Sequence, residues 1–121
     1  MKKLHYLMML VATIIIIVSC AKTETYGDAI TGESPEVTVK QILDNPEKYE
    51  GKTVLLKGKI KEVCPAGCWF FVNDDFGELY INIGPAGFAI PNKTGHEVSV
   101  EGECYTSNGK MTILGKGVEI K

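Results

Sequence analysis

After Gly51 the chain alternates apolar and polar side chains with a period of two, in five runs separated by turn residues. Val54, Leu56, Gly58 and Ile60 alternate with Leu55, Lys57, Lys59 and Lys61, so the first set is expected to face a core and the lysines water. Cys64-Pro65-Ala66-Gly67-Cys68 interrupts this run as a turn, and Trp69 to Val72 is a second strand. Asn73-Asp74-Asp75-Phe76-Gly77 turns the chain into a third strand, where Leu79, Ile81 and Ile83 alternate. Gly84-Pro85-Ala86-Gly87 opens a longer connection through Phe88, Ile90 and Pro91. Val98, Val100, Gly102 and Cys104 then alternate opposite Glu97, Ser99, Glu101 and Glu103, and Asn108-Gly109 leads into a fifth strand, Met111 to Ile120. A helical period of 3.6 is incompatible with these runs, so the domain must be mainly β.

Five short strands with the longest connection between the third and fourth suit a small closed barrel of the OB-fold type, with an open sandwich as the alternative. An OB-fold carries a helix in that long connection. Here the segment is rich in Gly and Pro, so the helix is expected to shrink to a turn. Gly58 and Gly102, inside strands, allow the sharp bending such a barrel needs. A short helix is expected before the barrel: Thr38 and Gln41 form a capping box, Val39, Ile42 and Leu43 give an apolar stripe, and Asn45-Pro46 ends it.

The N-terminus carries a different signal. Lys2 and Lys3 precede an apolar stretch, Leu7 to Val18, too short for the about 20 residues that span a bilayer. It ends Ile17-Val18-Ser19-Cys20, which resembles the lipobox of bacterial lipoproteins. That resemblance implies a signal peptide over 1–19 and diacylglycerol on the Cys20 thiol. The mature protein would then be held on a membrane surface by lipid, since each buried methylene contributes about 0.8 kcal/mol. Ala21 after the Cys implies the outer membrane, where the cell has one. Residues 20–36, polar with Gly27, Gly32 and Pro35, read as the lipidated Cys and a tether, and 37–121 as one domain.

The stretch from Asn45 to Val54, followed by Lys57-Gly58-Lys59-Ile60, resembles the opening of many bacterial OB-fold domains. Val63-Cys64 and Gly67-Cys68-Trp69 are similar to a family of small exported bacterial lipoproteins with an OB-fold-like domain and a Cys-x-x-Gly-Cys-Trp segment. Gly87 to Pro91 and Val100 to Glu103 fit that family's later segments, so the resemblance spans about residues 26–120. It implies a fold and an extracytoplasmic location, but no reaction. The family often has longer, more basic residues between the cysteines, where this chain has Pro-Ala-Gly.

Cys64 and Cys68 are the sharpest chemical signal, and three readings stay open. A Pro-Gly turn can bring two thiols within the Cα separation of about 4.4–6.8 Å that a disulfide needs, and an oxidising compartment favours the bond. Two soft thiolates also suit copper or zinc, with His96 as the one mature His available. The third reading is reversible thiol exchange, although redox motifs of the thioredoxin type have two intervening residues on a βαβ frame. Cys104 has inward parity and is expected as a buried thiol, or else as a third ligand or resolving thiol. Among the aromatics, Trp69, Tyr80 and Tyr105 are candidates for a binding surface for a protein or small-molecule ligand, because OB barrels stack ligands on their second and third strands. The loops around Cys64–Trp69 and Tyr105–Lys110 are expected to face the ligand.

Nucleic acid is disfavoured. Two of the 13 lysines lie in the signal, leaving 11 against 15 acidic side chains, formally −4, and the chain has no Arg. Asp74 and Asp75 are adjacent in a turn and read as solvated. No catalytic constellation stands out, so no enzyme and no resident cofactor is expected, copper or zinc at the cysteines being the alternative.

Overall fold

The structure, a computed structural model, describes residues 22–121; the expected signal peptide and Cys20 lie outside the described residues. In chain order the elements are β1 (Glu24–Gly27), β2 (Glu36–Thr38), α1 (Val39–Asp44), α2 (Pro46–Tyr49), β3 (Thr53–Val63), β4 (Trp69–Asp74), β5 (Gly77–Asn82), β6 (Glu97–Ser107) and β7 (Lys110–Ile120). Strands β3 to β7 correspond to the five alternating runs.

They close into a ring. β3 pairs antiparallel with both β4 and β6, β4 with β5, and β6 with β7; the β3–β4, β4–β5 and β6–β7 pairs are joined by short connections, and β3 meets β6 across the chain. The last gap is closed by a parallel pairing, Tyr80 with Thr112, Ile81 with Ile113 and Asn82 with Leu114. This is the barrel expected from the sequence, and the open sandwich is excluded. The inward residues fill the interior: Val54, Leu56, Phe70, Val72, Ile81, Ile83, Val100, Cys104, Ile113 and Val118 are all fully buried. The long connection between β5 and β6 holds only a single 3-10 turn, Gly84–Ala86.

The helix forms where its cap demands. The Thr38 hydroxyl accepts from the Gln41 N–H, and the Gln41 side chain accepts from the Thr38 N–H at 2.8 Å. Val39 and Ile42 bury against the barrel, while Leu43 is largely exposed. Asp74 Oδ2 accepts from the Lys40 N–H at 3.0 Å, so the β4–β5 turn holds the first turn of α1. Asp74 Oδ1 also accepts from the Phe76 and Gly77 N–H groups. Asp74 is therefore a structural cap as well as a turn residue.

Two differences from the sequence reading have clear causes. The 20–36 segment is not tether throughout: Glu24–Gly27 pairs antiparallel with β7, and Glu36–Thr38 pairs parallel with β3. Backbone hydrogen bonds hold β1, and only Tyr26 packs on the core, so no apolar period marks it. The second difference is a bulge in β3 between Ile60 and Glu62. Lys61 is the extra residue, so Glu62 turns outward opposite Phe71 and Val63 turns inward opposite Phe70.

Gly58 sits where β3 crosses β4. A Cβ there would meet Val72 Cγ1 at 2.7 Å and the Asn73 carbonyl oxygen at 2.8 Å, and the backbone contact cannot yield cheaply. Gly58→Ala should lower stability by about 1–3 kcal/mol, the cost of overpacking a tight core. A reduced urea midpoint with an unchanged slope checks this.

Candidate functional site

Parity places Trp69, Phe71 and Tyr80 on the outer face of the barrel, with Phe70 buried between them in sequence. Their rings form a compact cluster. Trp69 and Phe71 lie 5.7 Å apart edge to face, Phe71 and Tyr80 5.5 Å edge to face, and Trp69 and Tyr80 5.7 Å at a 31° tilt. Such offset geometries are favourable for aromatic quadrupoles, at about 0.5–1.5 kcal/mol beyond burial, so the face is preorganised. All three rings stay partly exposed.

The closed ring extends this face sideways. Phe71 pairs with Tyr80, Tyr80 with Thr112 and Thr112 with Tyr105, so one row runs across β4, β5, β7 and β6. Burial first, then the fields of Cys68, Tyr105 and Cys64, hold the Tyr80 phenol above its ordinary range. The cysteine loop thus borders one side of the face, and the β6–β7 strands border the other.

The loop itself is tightly built. The Cys64 N–H donates to the Trp69 carbonyl at 2.9 Å, and the Gly67 N–H donates to the Cys64 carbonyl at 2.7 Å. Gly67, at φ +75°, lies against the β5–β6 connection: its carbonyl accepts from the Ile90 N–H at 3.1 Å. A Cβ there would sit 2.5 Å from the Ile90 carbonyl oxygen, so only glycine fits. The Cys68 carbonyl accepts from the Ile83 N–H at 3.2 Å. Both cysteines are half-buried thiols, and the Cys68 thiol donates to Cys64 Sγ at 3.6 Å. The expected disulfide partners are therefore adjacent but not bonded in this structure.

The two thiols differ. The Ala66 N–H, foremost, with the Cys68 thiol and the N–H groups of Cys68 and Gly67, lowers the Cys64 thiol against some opposing burial. Cys68 moves the other way, chiefly because its proton is held by Cys64 and secondarily through burial.

The remaining site candidates stand apart. Cys104 is fully buried in the core, opposite Ile113, as its parity implied. His96 is exposed at the start of β6, with Nδ1 2.9 Å from the Lys121 carbonyl oxygen. Its backbone pairs with Ile60, four residues before Cys64, or about 13 Å along an extended strand. Among the described residues no three His, Cys, Asp or Glu side chains converge, so a Cys64, Cys68 and His96 ligand set is not assembled, nor one completed by Cys104. Two of the three outward lysines of β3 are paired, Lys57 with Glu36 at 3.3 Å and Lys61 with Glu78 at 2.6 Å, while Lys59 makes no ion pair among the described residues. A groove of about 600 Å³ opens at the other end of β4, lined by Lys57, Lys59, Asn73, Glu97 and Ser99 among others. Its charges are of both signs, and it does not reach the aromatic face.

Sequence reasoning singled out Trp69, Tyr80 and Tyr105 but left Phe71 out of the face. Its signal was its spacing of two from Trp69, which gives both rings the same side of the strand. The clamp of Gly67 onto Ile90 left no such signal, because it is a contact between two irregular segments.

No family model matches the sequence, and no curated protein sequence matches it. The fold has solved neighbours, which are OB-fold proteins. The Stn1–Ten1 complex of S. pombe includes a chain similar at a TM-score of 0.51 and 10% identity, over 72% of this chain and 77% of that one. The hypothetical protein ygiW from E. coli is similar at a TM-score of 0.52 and 18% identity, over 79% of this chain and 99% of that one. A chain named as an aspartyl-tRNA synthetase, from Leishmania major Friedlin, aligns at a TM-score of 0.55 and 15% identity over 90% of this chain but 25% of its own length. At these identities the likeness establishes the OB-fold architecture.

Burial foremost, then the charges of Glu50 and Glu103, push the Cys104 thiol from 9.0 up to about 11. A raised folded-state value favours the protonated, folded form, so this contribution is intact below pH 9 and lost as pH rises toward 11. Cys104→Val should therefore flatten the fall in stability over that window, as read by thermal melts at pH 8 to 11. An identical slope in wild type and variant would show that Cys104 does not carry it.

Proposed function

We propose that this chain is a lipid-anchored extracytoplasmic binding module, which takes a protein or small-molecule ligand on the outer face of β4 and β5. The observation that carries this reading is the cluster of Trp69, Phe71 and Tyr80, partly exposed and preordered, on the strands where OB folds bind. The loop 64–68 and the turn at Asn108-Gly109 occupy the places of the two loops that flank the ligand in such barrels. Aromatic rings give large contact area at low entropy cost, which suits binding more than chemistry.

The domain is a binder rather than an enzyme in this reading. Nucleic acid is the less favoured ligand. The acidic excess and the pairing of Lys57 and Lys61 with glutamates leave little to meet a phosphate backbone. The anchor rests on the lipobox-like Ile17-Val18-Ser19-Cys20 behind an apolar segment. Copper or zinc at Cys64 and Cys68 is not favoured as a resident cofactor, because the other candidate ligands lie elsewhere.

Cys20→Ser should release the protein from the membrane fraction or leave the precursor uncleaved. A processed, lipid-free protein that still sediments with membranes would contradict the anchor.

For the face, Trp69 emission can be titrated with ten-residue peptide pools, neutral oligosaccharides and oligo-dT. A saturable response to a peptide or sugar is expected, weakened about tenfold or more by Tyr80→Ala or Phe71→Ala. A response confined to oligo-dT, falling steeply with salt, would replace the proposed ligand class.

A further inference from the structure

Independently of what the aromatic face binds, we propose that Cys64 and Cys68 form a reversible dithiol–disulfide couple, with Cys64 as the attacking thiol and Cys68 as the resolving one. The partner is a disulfide, in a protein or a small thiol compound. Three structural observations carry this. The two sulfurs face each other at 3.6 Å with the Cys68 proton directed at Cys64, so closing a bond of about 2.05 Å needs a side-chain movement of roughly 1.5 Å. The loop does not have to rearrange, since Gly67 and Cys68 are held on Ile90 and Ile83 by backbone hydrogen bonds. Both thiols are half-exposed at the border of the barrel, whereas Cys104 is sealed in the core.

The asymmetry of the pair assigns the roles. Cys64 is lowered and Cys68 raised, as a nucleophile and a proton-holding neighbour should be. In the first step the Cys64 thiolate attacks one sulfur of the partner disulfide. That S–S bond breaks, a mixed disulfide forms at Cys64, and the departing thiolate takes a proton from water. Cys68 then gives its proton to solvent and attacks Cys64 Sγ. The Cys64–Cys68 bond forms, and the second partner sulfur leaves as a thiolate and is protonated. The partner disulfide gains two electrons and the protein dithiol loses two. Run in reverse, the same couple oxidises a dithiol. A permanent structural disulfide would require no such difference between its two sulfurs, and a metal site would require further ligands.

The test equilibrates the full chain anaerobically in a series of reduced and oxidised glutathione mixtures. Alkylation then quenches the series, and peptide masses assign each cysteine, which separates Cys20 and Cys104 from the pair. The Cys64–Cys68 disulfide is expected to appear and disappear within the series. In Cys68→Ser, glutathione should accumulate on Cys64; in Cys64→Ser, Cys68 should take up measurably less. The initial rate of iodoacetamide alkylation of the reduced wild type gives a second reading without any substitution, with Cys64 faster than Cys68. Equal trapping and equal alkylation of the two, or a pair that stays wholly reduced or wholly oxidised throughout, would overturn the proposal.

Discussion

The parallel pairing of β5 with β7 is the constraint on which the rest of the molecule depends. It consists of three residue pairs, Tyr80 with Thr112, Ile81 with Ile113 and Asn82 with Leu114. Without it the five strands would form an open sheet with two exposed edges, and the core would have water on one side. With it, Ile81 and Ile113 seal the interior, and both are fully buried. The same three pairs extend the outside: the β4–β5 hairpin already sets Phe71 beside Tyr80, and the parallel pairing carries that row on through Thr112 to Tyr105. Core and candidate site are thus two faces of one closure.

Closure also fixes the loop. The β5–β6 connection must cross the barrel end after Ile83, and it does so in a single 3-10 turn followed by an irregular stretch. That stretch offers the Ile90 N–H to the Gly67 carbonyl, while Ile83 offers its N–H to Cys68. The thiol pair is held by the barrel frame as well as by its own turn. Its geometry beside Trp69 is therefore a property of the fold. A free loop of the same sequence would pay the ordering entropy each time the two sulfurs met.

Much of this was legible in the sequence, and the parts that were not share a cause. Period-two alternation located β3, β5 and β6 because each has one wet and one dry face, while β4 and β7 were located by the turn residues that bound them. The capping box located α1 because Thr38 and Gln41 act locally. Cys104 was legible as core through its parity with Val98 and Val100. In contrast, β1 is a strand held by backbone hydrogen bonds to β7, and backbone carries no sequence pattern. The bulge that sends Glu62 outward breaks the alternation at one residue, and no Gly or Pro announces it. The placement of His96 beside Lys121, away from the thiols, follows from three-dimensional register alone. Phe71 was readable by spacing, yet in a run of three aromatics the outward one is fixed only when the partner strands are known.

A nuclear Overhauser spectrum of the domain tests the central claim, that one closure builds both core and face. The account predicts cross-strand contacts between Ile81 and Ile113 in parallel register, together with contacts of Thr112 with both Tyr80 and Tyr105 in the same sample. Absence of the β5–β7 contacts, or an antiparallel register between those strands, would contradict it.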